Sequence, residues 1–135
     1  MDIRTVNLET VWQIRQQVMY PAEEISYVQL PEDSAGKHLG LFIQGRLVSI
    51  VSLFEQGKDL QFRKFATLGN EQGKGYGSQL LSYVMEQATL EAKERVWCNA
   101  RVAASGFYER FGMQATGSSW WKKDIEFIKM EKIIK

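Results

Sequence analysis

The sequence predicts an α+β domain in which helices cover the faces of one mixed sheet. Three observations lead there. Residues 38–68 read as a meander of three strands. Strand and helix then alternate through residue 113, and the tail reads as two more strands. A meander followed by strand–helix alternation is the pattern of a mixed sheet with helices packed on it.

Each element has its own signal. "DIRTV" at 2–6 is a short alternating strand. Asn7 is placed to cap the next segment. Val11, Ile14 and Val18 recur at helical spacing, so 8–19 reads as an amphipathic helix, which Pro21 stops. Residues 21–37 carry Pro21, Pro31, Asp33, Ser34 and Gly36 without a clean period and read as a loop with a short helical turn. "HLGLFI" at 38–43 and "LVSIVSLF" at 47–54 flank "QGR" as a hairpin, and "LQFRKFATL" at 60–68 completes the meander. Leu80, Leu81, Val84 and Ala88 mark one face of a helix running to about Lys93. "RVWCNAR" at 95–101 is a strand with Val96, Cys98 and Ala100 on its apolar face. Ala104, Phe107, Tyr108 and Phe111 sit at helical spacings, and Gly112 ends that helix. The tail forms two strands about a turn at Lys122–Asp124.

The chain has 135 residues, is 44% hydrophobic and carries a net charge of +1. That fits one domain, 1–135, around a single core. Nothing global draws it to nucleic acid or to an anionic membrane. No apolar run approaches the roughly 20 residues that span a bilayer, and the N-terminus lacks a signal-peptide core. One cysteine, Cys98, and one histidine, His38, leave no Cys- or His-based metal site. The expectation is a cytoplasmic protein without a metal.

The stretch "GNEQGKGYGSQLL" at 69–81 sets Gly73, Gly75 and Gly77 at alternate positions where a strand gives way to a helix. Glycine at such a site lets the backbone approach a ligand or take angles other residues avoid. N–H groups at a helix start, with the helix dipole, attract phosphate. The spacing fits neither the P-loop, where Lys74 would need a following Ser or Thr, nor the GxGxxG dinucleotide turn, which would need glycine at Ser78 or Leu80. A glycine turn kept only for tight packing is the plain alternative.

What remains is Gln72, two residues, Gly75, one residue, Gly77. This resembles the pyrophosphate-binding motif of the GNAT N-acetyltransferase superfamily: Arg or Gln, two residues, Gly, one residue, Gly or Ala. The segment "WCNARVAASGFYERFGM" is similar to a strand and short helix found downstream of that motif in many members. "FRKFATL" stands where the family's cofactor-pairing strand stands, and "FIKMEKII" where its last strand stands. The likeness covers nearly the whole chain and is strongest over 60–113. It implies a mostly antiparallel twisted sheet of about seven strands, splayed at the cofactor site. It also implies transfer of an acetyl group from acetyl-coenzyme A directly to an amine.

The resemblance assigns roles. Gly73, Lys74, Gly75, Tyr76, Gly77 and Ser78 would hold the pyrophosphate, with Gln72 bonding a phosphate or bracing the turn. Backbone groups of Phe65, Ala66 and Thr67 would pair with the pantetheine arm, and Asn99 would bond it. Tyr108 would protonate the departing thiolate, being a donor at neutral pH. Where the histone-acetylating branch has a Glu base, this chain has Gln61, which cannot accept a proton; Glu55 and Glu126 are the acids that could act through water. Residues with plainer readings are Cys98 as a buried thiol, His38 as a polar residue at a strand start, Arg110 as a solvated cation, and Trp120 and Trp121 as cover for the sheet. The acceptor would be a small-molecule or peptide amine, met by the first helix, the 21–37 loop and residues 114–125. The last strand would offer an edge for a homodimer. The second reading is a non-catalytic acetyl-coenzyme A sensor with the same fold.

Overall fold

The computed structural model describes residues 2–134. In chain order the elements are β1 (Asp2–Thr5), α1 (Leu8–Met19), the short α2 (Ile25–Val28), a 3-10 turn at Asp33–Ala35, β2 (Lys37–Ile43), β3 (Arg46–Gln56) and β4 (Asp59–Thr67). A 3-10 turn at Gly69–Glu71 leads to α3 (Tyr76–Leu90). Then come β5 (Arg95–Arg101), a 3-10 turn at Val102–Ala104, α4 (Ser105–Glu109), β6 (Gln114–Lys122) and β7 (Ile125–Ile133). The strands hydrogen-bond in the order β1-β2-β3-β4-β5-β7-β6. β5 runs parallel to β4, pairing Asp59 with Arg95, Leu60 with Val96 and Gln61 with Trp97. The pairs β1–β2, β2–β3, β5–β7 and β6–β7 are antiparallel.

Two compact units share these elements, the division falling within β3, β4 and α3: one holds the chain up to Phe54 with Arg63–Val84, the other Glu55–Phe62 and the chain from Met85 onward. In the first unit, Asn7 caps α1 as expected, its Oδ1 accepting from the Thr10 N–H at 2.9 Å. The apolar stripe of α1 meets the sheet in a cluster of Val11, Ile50 and Ala66, ringed by Val6, Ile14, Val18, Met19 and Leu47. Gln44 and Gly45 both take positive φ (51° and 80°), which makes the β2–β3 connection the primed turn that matches strand twist. Leu80, Leu81 and Val84 are buried along α3.

In the second unit Val96, Cys98 and Ala100 are buried while Asn99 and Arg101 are exposed. This is the alternation expected of a strand with one face covered. Met113 and Met130 complete that interior. Gly112, at φ 87°, lets the chain turn after α4, its N–H donating to the Glu109 carbonyl at 3.0 Å.

Two expectations are corrected. The last strand is no edge: β7 lies between β5 and β6, and β6 holds the edge. The helix expected to reach Lys93 ends at Leu90. Ala92 takes φ 59°, and the Lys93 N–H turns back to the Ala88 carbonyl at 2.9 Å. A left-handed cap thus stops the helix without glycine.

Candidate functional site

The glycine turn sits between β4 and α3, and its three glycines serve two purposes. Gly73 and Gly75 have φ of 80° and 82°, and a Cβ built on either meets no heavy atom within 4 Å among the described residues. Backbone angle therefore demands glycine there, and the space a side chain would fill stays open. Gly77 has ordinary φ, but its Cβ would lie 3.3 Å from Phe65 Cζ and 3.5 Å from Thr67 Oγ1. Close approach of the helix start to the strand favours a small residue at the third position. The Gln79 N–H donates to the Gly75 carbonyl at 3.1 Å, opening the helical ladder. The N–H groups of Tyr76, Gly77 and Ser78 precede that ladder, at the positive end of the α3 dipole. The arrangement suits a phosphate.

Side chains fix this turn from below. Gln72 Nε2 donates to the Thr67 carbonyl at 3.0 Å, so of its two expected roles the structure shows the brace. Lys74 Nζ lies 3.2 Å from one oxygen of Glu71, and Arg46 Nη1 lies 2.6 Å from the other. The Arg46 hydrogen bond outweighs burial and, with help from Lys74, holds the Glu71 carboxyl below its ordinary range. Neither Glu71 nor Arg46 stood out in the sequence.

The adjoining strand is irregular. Lys64 takes φ 55° within β4, which breaks the alternation. Leu60, Gln61 and Phe62 are buried in succession, and Ala66 is buried again beyond the kink. Ser49 Oγ donates to the Ala66 carbonyl at 3.0 Å and lies 3.0 Å from Thr67 Oγ1.

In the second unit Tyr108 packs against Phe62 (ring centroids 5.7 Å apart) and edge-on to Phe107 (5.3 Å). Burial drives its hydroxyl well above the ordinary value and nearby Cys98 adds to the rise, while Arg101 opposes it. The group stays protonated at neutral pH and can donate. Burial also pushes the Cys98 thiol up to about 12, so it is no nucleophile. Asn99 lies exposed, opposite Lys129 of β7.

Gln61 stands in a chain of hydrogen bonds. Trp97 Nε1 donates to Gln56 Oε1 at 3.1 Å, and Gln56 Nε2 donates to Gln61 Oε1 at 3.1 Å. An indole N–H only donates, so it orients both amides.

Residues 6–134 match the family described as the acetyltransferase (GNAT) domain. The chain belongs to the GNAT acetyltransferase family. It is an acetyl-coenzyme A-dependent N-acetyltransferase, and its acceptor is an amine. The GNAT domain is 29% identical over 126 residues to an uncharacterized N-acetyltransferase, YitI, of Bacillus subtilis strain 168, covering 87% of this chain and 85% of that one. Among solved structures, a candidate N-acetyltransferase from Lactobacillus plantarum superposes with a TM-score of 0.85 at 18% identity, each chain covered in full (100%). An acetyltransferase of Bacillus subtilis in complex with coenzyme A superposes with a TM-score of 0.75 at 11% identity, covering 98% of this chain and 96% of that one. At such identities the superpositions speak for the fold.

The remaining residues of this GNAT domain fall into place. His38 stands at the start of β2 as expected and is buried, with Nδ1 2.7 Å from Ser52 Oγ and Nε2 2.9 Å from the Asp33 carbonyl. It belongs to a network that sequence reasoning missed. Arg15 is fully buried and bonds both oxygens of Asp33 at 2.8 and 2.9 Å, the Val28 carbonyl at 2.8 Å and Ser52 Oγ at 2.9 Å. Trp12 Nε1 and the Leu30 N–H add two further bonds to Asp33, each at 2.9 Å. The network pins the 21–37 loop onto α1. One signal was available: Arg15 lies on the same helical stripe as Val11 and Val18. Of the acids considered as bases, Glu55 pairs with Lys93 at 3.0 Å and Glu126 accepts from Ser119 Oγ at 2.6 Å. Arg110 lies exposed, its guanidinium carbon 5.2 Å from the Phe107 ring centroid. Trp120 and Trp121 are exposed on β6, with Trp120 stacked on Phe127 at 6.1 Å. No helix among the described residues is long and apolar enough to cross a membrane.

Proposed function

We propose that this enzyme holds the pyrophosphate of acetyl-coenzyme A on the Gly73–Ser78 turn and transfers the acetyl group directly to an amine of a small molecule or peptide. The observation that carries the reading is the pair Gly73 and Gly75, left-handed and open where side chains would stand, at the N-terminus of α3. Lys74 adds a positive charge beside it. Backbone groups of Phe65, Ala66 and Thr67 pair with the pantetheine arm as a strand pairs with an extended peptide. Asn99 supplies a side-chain hydrogen bond to the same arm.

The chemistry asks for three things. The acceptor amine attacks the thioester carbon in its neutral form. The carbonyl oxygen, as it gains charge, is met by a backbone N–H of the Phe65–Thr67 strand. Sulfur leaves as a thiolate and takes a proton from Tyr108, which burial keeps protonated at neutral pH; the surplus proton of the new amide nitrogen passes through water and restores the tyrosine. Gln61 is an amide and cannot accept the proton, so the amine loses it to water, from which Glu55 or Glu126 can take it. Cytoplasmic residence goes with this reading, and Cys98 is a free, buried thiol. A second copy, where one pairs, would use the β6 edge.

The test is calorimetric titration with acetyl-coenzyme A of wild type, Gly75→Trp and Gly57→Ala. Gly57 also has positive φ (65°) with open space around it, and so controls for backbone strain. Micromolar binding that survives Gly57→Ala and is lost in Gly75→Trp supports the assignment. No binding by folded wild type, or wild-type binding by Gly75→Trp, removes it.

A further inference from the structure

Glu71 is an acid beside a turn suited to an anion. Its side chain is 4% exposed, whereas its two partners, Arg46 and Lys74, are 56% and 52% exposed. Each cation holds a different carboxylate oxygen, Arg46 Oε2 and Lys74 Oε1. A single buried carboxylate thus gathers two half-exposed cations that would otherwise repel each other. The trio keeps one net positive charge, and both cations keep donors to spare, since each spends on Glu71 only one of the five N–H groups of a guanidinium or the three of an ammonium. Arg46 begins β3 directly after the primed turn, so its backbone is set by the hairpin. Glu71 closes the 3-10 turn at Gly69–Glu71, one residue before Gln72 braces the loop.

We propose that Glu71 is a positioning residue that gathers Arg46 and Lys74 into a phosphate subsite, with Arg46 as a phosphate ligand of the cofactor. The inference rests on the cofactor reading above and adds a residue that the glycine motif does not contain. Lys74 stays on Glu71 through one N–H and offers its others to a phosphate oxygen when the cofactor binds. Arg46 stays on Glu71 through Nη1 and offers its remaining N–H groups to the same anion. Coenzyme A carries a diphosphate and a 3′-phosphate, and either group has the chemistry the subsite takes.

The experiment titrates wild type, Arg46→Met, Glu71→Gln, Lys74→Met and the Glu71→Gln/Lys74→Met double variant with acetyl-coenzyme A. Acetyl-dephospho-coenzyme A is run in parallel, and thermal unfolding of each protein is recorded. Arg46→Met and Glu71→Gln should each raise Kd for acetyl-coenzyme A about fivefold, the scale of a half-exposed charge contact. Lys74→Met should add little on top of Glu71→Gln, because Glu71 acts partly through Lys74. If the effect of Arg46→Met vanishes with the dephospho compound, the 3′-phosphate occupies the subsite. If it persists, the diphosphate does. Wild-type affinity in folded Arg46→Met overturns the subsite and leaves the glycine-turn assignment standing. Tighter binding by Glu71→Gln, or fully additive losses in the double variant, overturns the positioning role. Failure of wild type to bind acetyl-coenzyme A overturns both. Arg46→Met decides the matter even if Glu71→Gln does not fold, because Arg46 is half exposed.

Discussion

Substituting Asp33 by Asn tests the buried network directly. The change preserves shape and an acceptor oxygen but removes the charge facing Arg15, a side chain with no exposure. Burial by itself would raise the Asp33 pKa. Hydrogen bonds from Arg15, Trp12 and the Leu30 N–H, with the charge of Arg15, outweigh it and bring the value from 3.8 to about 2. A carboxyl whose folded pKa is depressed contributes stability that is complete above the unfolded pKa and is lost as pH falls through the folded one. The shift corresponds to about 2 kcal/mol, present at pH 7 and withdrawn between about pH 4 and pH 2. Asn also leaves the Arg15 guanidinium without a counter-charge, and breaking a buried pair costs up to about 5 kcal/mol. The expected loss at pH 7 is therefore about 2–5 kcal/mol, or a Tm lower by roughly 8 °C or more for a chain of this size. Urea unfolding of both proteins at several pH values from 7 to 2 reads the effect. Other carboxyls titrate alike in both and cancel in the difference. The gap should be constant above about pH 5 and narrow below pH 4. A gap of unchanged size from pH 7 to pH 2 would refute the assignment of Asp33 as the charged partner of Arg15.

Two further predictions concern the site. Tyr108→Phe should lower kcat about a hundredfold and leave KM for acetyl-coenzyme A within about a factor of two. Since burial keeps the hydroxyl protonated well past its ordinary range, a falling limb in wild-type kcat near pH 10 that disappears in Tyr108→Phe would contradict this. Gly77→Ala sets a gain of about 1 kcal/mol in helix propensity against crowding of Phe65 and Thr67, a cost of similar size. Its Tm should stay within a few degrees of wild type while acetyl-coenzyme A binds more weakly, and an unchanged Kd would show that the contact with the strand carries no function.

Regular elements were legible where one physical signal dominates. The stripe Val11, Ile14, Val18 and the cap at Asn7 gave α1 its observed limits, Leu8–Met19. Alternation gave β5 its limits, Arg95–Arg101. The glycine turn was legible because left-handed angles at Gly73 and Gly75 admit few other residues. What escaped depends on contacts distant in sequence. Asp33 is 18 residues from Arg15, in a loop without period, and Glu71 is 25 from Arg46. Neither partner announces itself locally, since a charge reads as solvated until the fold brings its counter-charge. The kink at Lys64 and the end of α3 at Ala92 escaped for another reason. Both place an ordinary residue at positive φ, where the surrounding fold and not the residue's own preference sets the angle.

The bonds from Trp97 through Gln56 to Gln61 bear on how the enzyme could change. The indole cannot reverse its direction, so Gln56 always points its amide nitrogen at position 61. A glutamate there would accept that same hydrogen bond without any neighbour turning over. Gln61 and a carboxylate differ at this position by one heavy atom, an amide nitrogen exchanged for oxygen, and by one codon base. A lineage carrying this chain therefore stands a single mutational step from a residue able to take a proton, with the wiring behind it already in place.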